Sequence, residues 1–273
     1  MLVFACIAPH GSECVESLGA PARSRAAATR EAMGRLAAQA RSAAVETWLV
    51  VTPHAVRVEG AMAISDTERA EGRVEAAGPE GRPLAWEAAV DRGLARTLAE
   101  RARARGVTTA LVGYGASSGP GSVYPMDWGA IIPLSHLAGE GARVVLAVPS
   151  RALAWEDMVR FGEAAAEAAA ASGVRVGLVA SADLAHAHSA DGPYGYDEAA
   201  AVYDHAVREA VEAGDLLRLL AIDPHLVAAA RPEGQWQILV LAGALARRPM
   251  RPVLLSYEVP TYFGMLCAQC VEA

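Results

Sequence analysis

The sequence contains no lysine: all 24 of its basic residues are arginine. That absence excludes Schiff-base chemistry, pyridoxal phosphate anchoring and a Walker-type phosphate loop, each of which needs a lysine. The arginines are not bunched, and 31 acidic residues bring the net charge to −7. Neither a nucleic-acid partner nor an anionic membrane surface is therefore expected. Cysteine is scarce, with four in 273 residues. The apolar stretch 2–8 is too short to span a bilayer and lacks a basic flank. It runs into Pro9-His10-Gly11 rather than a cleavage site, so the cysteines are expected to be thiols in a cytoplasmic protein.

What remains is an ordinary globular composition, 53% hydrophobic and 20% charged. At this length folding buries roughly 75% of the chain's surface, so neither a disulfide framework nor a metal is needed for stability. Apolar runs predict strands over 2–7, 46–52, 61–64, 109–112, 143–148, 174–180 and 253–258, with 262–268 a partner for the last. Helical patterns cover 24–43, 84–105, 131–137, 155–171, 196–213, 216–221 and 234–246. Strands separated by such helices need crossovers. The expected fold is α/β, a three-layer α/β/α sandwich with a mostly parallel, mixed central sheet in one domain over 1–273. Segment 61–64 follows its predecessor too closely for a helical crossover, which predicts a hairpin. Two glycine-rich stretches, 113–121 and 191–195, read as loops over a site at strand ends.

The chemistry concentrates at those ends. His10 follows the first strand in Ile7-Ala8-Pro9-His10-Gly11, and His54 follows the second in Val51-Thr52-Pro53-His54-Ala55. In open α/β sheets the carboxyl edge is where ligands bind, and a proline before each histidine stiffens the exit turn and aims the imidazole. Two such histidines predict metal ligation. Glu258 closes the apolar run Leu254-Leu255-Ser256-Tyr257-Glu258 and is the candidate third ligand, because a buried acid needs a positive partner, an arginine or a metal. Two histidines and a carboxylate suit non-haem Fe(II) oxygenases, and zinc hydrolases use a similar set. Ser181-Ala182-Asp183-Leu184-Ala185-His186-Ala187-His188 follows another strand end, and His186 is the candidate acid/base there. Asp183 and His188 are further candidates beside it, set against a turn cap and a solvated histidine. Cys267 and Cys270 form a Cys-x-x-Cys pair, with buried thiols the preferred reading over a structural zinc.

These motifs in this order resemble a known family. The Pro-His strand ends, Asp127-Trp128-Gly129 with Pro133-Leu134, Ser-Ala-Asp-Leu-Ala-His, Gly192-Pro193-Tyr194-Gly195-Tyr196-Asp197 and Ser256-Tyr257-Glu258-Val259-Pro260 look like class III extradiol ring-cleavage dioxygenases of the LigB type. Within that superfamily the chain is most similar to the branch related to Memo-like proteins and AmmeMemoRadiSam system protein B. The resemblance runs from His10 to Glu258. It implies Fe(II), or alternatively Zn(II), held by His10, His54 and Glu258, with His186 as acid/base. It implies a pocket in which Trp128, Asp183, His188 and Tyr194 meet a small aromatic diol that is opened with O2. A homo-oligomer, and a small α-type partner subunit, are further expectations. The alternatives are a Memo-like metal-binding protein without ring cleavage, and a zinc hydrolase on the same ligands. One departure stands out: the family commonly carries Asp-His-Gly where this chain has Asp127-Trp128-Gly129, so a second pocket histidine is missing.

Overall fold

A computed structural model describes residues 1–273, the side chain of Arg23 excepted. In chain order the elements are β1 (Leu2–Ala8), α1 (Ala27–Ser42), β2 (Thr47–Val51), β3 (Met62–Ser65), β4 (Arg69–Val74), β5 (Leu84–Ala89), α2 (Arg92–Ala104), β6 (Thr109–Val112), β7 (Val123–Met126), α3 (Trp128–Leu137), β8 (Arg143–Val148), α4 (Trp155–Ala171), β9 (Val176–Ser181), α5 (Ala199–Glu212), α6 (Pro224–Ala230), α7 (Gln235–Arg247), β10 (Met250–Glu258) and β11 (Met265–Glu272). Eight strands form one sheet in the order β10-β11-β1-β9-β2-β8-β3-β6. The central block β1-β9-β2-β8 is parallel throughout. Antiparallel pairings join β11 to β1 and β10, and β3 to β8, making the sheet mixed.

The central strands read as unbroken apolar runs because both faces of the sheet are covered. Successive side chains still alternate between the two cores. Ala5 and Ile7 of β1, Leu49 and Val51 of β2, and Val145 and Ala147 of β8 pack with α2, α4, α5, α6 and α7. Phe4, Cys6 and Ala8, Trp48 and Val50, and Val144 and Leu146 face the other way, against α1 and α3. The result is the expected α/β/α sandwich. A second sheet, β5-β4-β7, adds to the α1/α3 layer.

Three local expectations are corrected. Segment β3 makes no hairpin with β2; its neighbours are β8 and β6, and β2 lies between β8 and β9. The helix read over 84–105 begins only at Arg92, where Asp91 caps it by accepting from the Leu94 amide at 3.0 Å. Leu-Ala-Trp-Glu-Ala-Ala has helix-favouring composition, but six cross-strand pairs with β4 hold it as β5, since tertiary pairing overrides weak propensity. Residues Leu216–Ala221 are 3-10 rather than α, and α6, with Pro224 in its first turn, is an element the periodicity did not reveal. All four cysteines are buried thiols. Cys267 and Cys270 pack into different cores on opposite faces of β11, which no shared metal could bridge. Among the described residues no helix is long and apolar enough to cross a membrane.

Candidate metal centre

Strand order explains the site. Because β9 lies between β1 and β2, the residues leaving those two strands flank the end of β9. Strands two apart are separated by roughly 10 Å, a gap that two inward-turned imidazoles can close. His10 and His54 do so, their ring centroids 5.1 Å apart at 83°.

His10 is 1% exposed. Its amide donates to Asp183 Oδ1 at 3.0 Å, and its Nδ1 lies 2.9 Å from Ser181 Oγ. The Ser181 hydroxyl donates its one proton to the carbonyl of Gly129. It must therefore accept from His10 Nδ1–H, leaving Nε2 as a lone pair in the neutral ring. That Nε2 stands 3.4 Å from Asp183 Oδ2 and 3.5 Å from Glu233 Oε2. His54 Nε2 is 3.1 Å from the same Glu233 oxygen. Close packing sets the second imidazole: a Cβ at Gly129 would come within 2.4 Å of Thr52 Oγ1 and 3.0 Å of His54 Cδ2. Ala55, next in the chain, holds φ at 68°, a left-handed conformation costing a non-glycine residue about 1–2 kcal/mol. Strain of this kind concentrates beside functional groups.

The carboxylate that joins the histidines is Glu233, not Glu258. Glu233 sits in the Arg231-Pro232-Glu233-Gly234 turn between α6 and α7. Two backbone bonds dock this turn on the segment after β9: His186 N to Ala230 O at 3.0 Å, and Gly234 N to Asp183 O at 2.9 Å. The approach requires glycine, since a Cβ at Gly234 would stand 2.7 Å from Ala182 Cβ. Glu258, by contrast, serves the start of α1. Its carboxylate accepts from the Thr29 amide and hydroxyl, both at 2.7 Å, and from the Ala28 amide at 3.3 Å. The positive partner that this acid needs is a helix N-terminus.

His10, His54 and Glu233 each offer one ligand atom, all within 4.8 Å of one another. Both Nε2 atoms are buried without a hydrogen-bond partner. Two buried imidazole nitrogens without a hydrogen-bond partner, converging on a carboxylate, suit a cation among them, and the donor set is that of a two-histidine, one-carboxylate metal site. Electrostatics agree. Burial alone would raise the Glu233 carboxyl, but the imidazoles of His10 and His54 outweigh it and hold it far below the usual carboxylate range. Burial alone would lower His10, yet Asp183, Glu233 and Asp127 push its pKa up. Positive charge is what this cluster calls for.

A cavity of about 600 Å³ opens above the cluster, walled by Trp128, Val74, Ile132, Tyr194, Tyr262 and Phe263. Trp128, the first residue of α3, is 47% exposed with its ring centroid 4.3 Å from that of His54. Asp183 and Tyr194 also line the cavity. So does His186, whose ring stacks on Phe263 at 5.2 Å and 18°. Its Nδ1 lies 2.8 Å from the Leu184 carbonyl, which can only accept, so Nδ1 carries the proton and Nε2 faces Glu233 at 3.9 Å as a base. His188 is neither solvated nor in the cavity wall. Its Nε2 lies 2.8 Å from Asp204, a carboxylate 1% exposed that also accepts from Tyr257 Oη at 2.7 Å and from the Ala185 amide at 2.9 Å. His136 is half-buried on α3 and does not line this cavity. The 191–195 loop brings Tyr194 to the site, whereas 113–121 borders a separate groove of about 640 Å³ over β4 and β5.

An α/β/α sheet with this cluster at its carboxyl edge defines a class, and the comparison with known families agrees. Residues 4–265 match the family described as the catalytic LigB subunit of aromatic ring-opening dioxygenase. The chain belongs to that family. Protein CA_C1420 of Clostridium acetobutylicum is 22% identical over 251 residues, which is 92% of this chain and 53% of that protein. The chain thus spans about half the length of the curated relative it matches. Among solved structures, the uncharacterized protein JW3007 of Escherichia coli K12 superposes with a TM-score of 0.60 at 15% identity, covering 98% of this chain and 99% of that one. That likeness is one of fold.

Proposed function

We propose that the chain is a non-haem Fe(II)-dependent extradiol dioxygenase that opens the ring of a catechol-type aromatic with O2. The observation carrying this reading is the convergence of two buried, unpartnered imidazole nitrogens and Glu233 beneath a cavity large enough for one aromatic ring. His10, His54 and Glu233 would hold the metal, which when bound supplies charge compensation for a catecholate and a redox route to dioxygen. His186 would take the proton from a diol hydroxyl on Nε2, its ring held by the Leu184 carbonyl and Phe263. Trp128 and Phe263 would offer apolar faces to the ring.

One observation favours a second reading. Trp128 stands where the family commonly has a pocket histidine, and an indole N–H cannot relay a proton. A Memo-like protein that binds metal without cleaving rings, or a zinc hydrolase on the same ligands, would tolerate that. Oxygen uptake by protein reconstituted anaerobically with Fe(II), against a panel of catechols, decides between them. A yellow ring-fission product is the expected result. Tight zinc binding with no oxygen consumption toward any catechol would remove the dioxygenase reading. The homo-oligomer and the small α-type subunit belong to this proposal, and sedimentation with and without substrate tests the former.

A further inference from the structure

The cavity above the cluster is lined by fifteen residues, and none is an arginine; lysine is absent from the chain altogether. Beyond the histidines and Glu233, its charged lining is acidic, Glu13 and Asp183. Asp183 is occupied, bonded to the His10 amide. Glu13 is not fully so. It belongs to the 3-10 turn Ser12–Cys14 that follows the first ligand, and is 7% exposed. Its Oε2 is buried without a hydrogen-bond partner. Arg25, which acts on Glu13 electrostatically, is solvent-exposed and lies outside the cavity lining. Tyr262 bears the mark of this surrounding: burial first, and then Tyr194, Glu233, Asp183 and Glu13, push its hydroxyl pKa up.

We infer that the pocket selects aromatic diols whose far end is neutral or cationic, in particular an ammonium-bearing side chain, and disfavours those carrying a carboxylate, with Glu13 the selecting residue. The inference rests on the catechol reading above and names its substrate class. Burial raises the Glu13 carboxyl above its usual range. In its neutral form it can meet a hydroxyl, and when ionised it can pair with an ammonium. In neither form does the wall offer the arginine fork or ammonium that would repay a carboxylate for leaving water. A substrate carboxylate would instead meet Asp183, and Glu13 whenever it is ionised, at low dielectric, where like charges repel strongly.

The test is binding, not turnover. Calorimetric titrations of the zinc-loaded protein would use three matched probes: 4-methylcatechol, 3,4-dihydroxybenzoate and 2-(3,4-dihydroxyphenyl)ethylamine. The expected order is amine tightest and benzoate at least tenfold weaker than the amine. In Glu13→Gln, checked by thermal melting and zinc content, that ratio should narrow at least threefold. Benzoate binding as tightly as the amine in the wild-type protein would overturn the inference while leaving the catechol reading intact. An unchanged ratio in a folded, zinc-replete Glu13→Gln protein would overturn the role of Glu13. Binding of none of the three probes would remove the catechol reading, and this inference with it.

Discussion

Gly129 and Pro133 stand one helical turn apart in α3, and because proline has no N–H the Gly129 carbonyl accepts instead from Ser181 Oγ. The helix interior thereby gives up one backbone bond, and the freed acceptor orients the hydroxyl that fixes the proton on His10 Nδ1. Ser181→Ala should therefore weaken metal binding by about 10–100-fold, the usual cost of removing a partner that orients a ligand. Competition with a fluorescent chelator measures it. Wild-type affinity in the variant would show that His10 needs no such partner.

Two glutamates separate cleanly by experiment. Glu233→Gln should abolish stoichiometric metal after dialysis, as should His10→Ala and His54→Ala, while each folds. Glu258→Ala should keep one metal per chain and lower stability by about 1 kcal/mol, as expected for loss of a group capping a helix N-terminus. Metal analysis and a thermal melt on the four variants read this out. Metal lost from Glu258→Ala would return that residue to the site.

Proton transfer is tested at His186. His186→Ala should keep the metal and still bind a catechol, with turnover reduced by about 10²–10⁴-fold. Metal content, calorimetric binding and oxygen uptake on one preparation distinguish this from a collapse of the site. Unchanged turnover would assign the proton to solvent.

His188 is expected to matter for a different reason. Removing it leaves Asp204, almost wholly buried, with one hydrogen-bond partner fewer. His188→Ala should cost about 1–3 kcal/mol, the range for leaving a buried acceptor short of a partner. Chemical denaturation measures the loss, and metal stoichiometry in the folded protein should remain near one. A small stability change with impaired catechol binding would move His188 back into the pocket.

Trp128→His asks whether the departure from the family pattern limits catalysis. With nearly half its surface exposed, Trp128 should be replaceable at a cost of about 1 kcal/mol or less. Activity toward simple catechols should rise, or at least persist, because a titratable group then stands beside His54. Melting temperature and oxygen uptake on this variant check both halves. A loss of several kcal/mol would show the indole to be structural.

The parallel centre of the fold was legible because β1, β2, β8 and β9 are apolar on both faces and end abruptly at proline, serine or aspartate. The same ends revealed His10, His54, Asp183 and His186. The small sheet was not legible: β4 alternates Arg69, Glu71 and Arg73 with Ala70, Gly72 and Val74, and β5 is alanine-rich, so the inward positions are too small to stand out as a core-facing stripe. Glu233 escaped for a related reason. It is carried by a turn between two helices, and a Pro-Glu-Gly turn has no periodicity to mark it. Glu258 drew attention as an acid ending an apolar strand, but a helix N-terminus, which the sequence pattern does not place in space, satisfies it.

The position of β1 inside the sheet, between β9 and β11, has a consequence for how the protein is made. Its first residues pair with Val176 onward and, on the other side, with Ala268 and Gln269. At about 5–20 residues per second, a ribosome reaches those partners roughly 10–50 s after β1 has emerged. For that interval a seven-residue apolar strand has neither neighbour, which makes it a segment for nascent-chain chaperones to shield. The His10 side of the site can be ordered only once β9 arrives, and Glu233 follows later still. A metal held by His10, His54 and Glu233 would therefore find its ligands together only after Glu233 has been made.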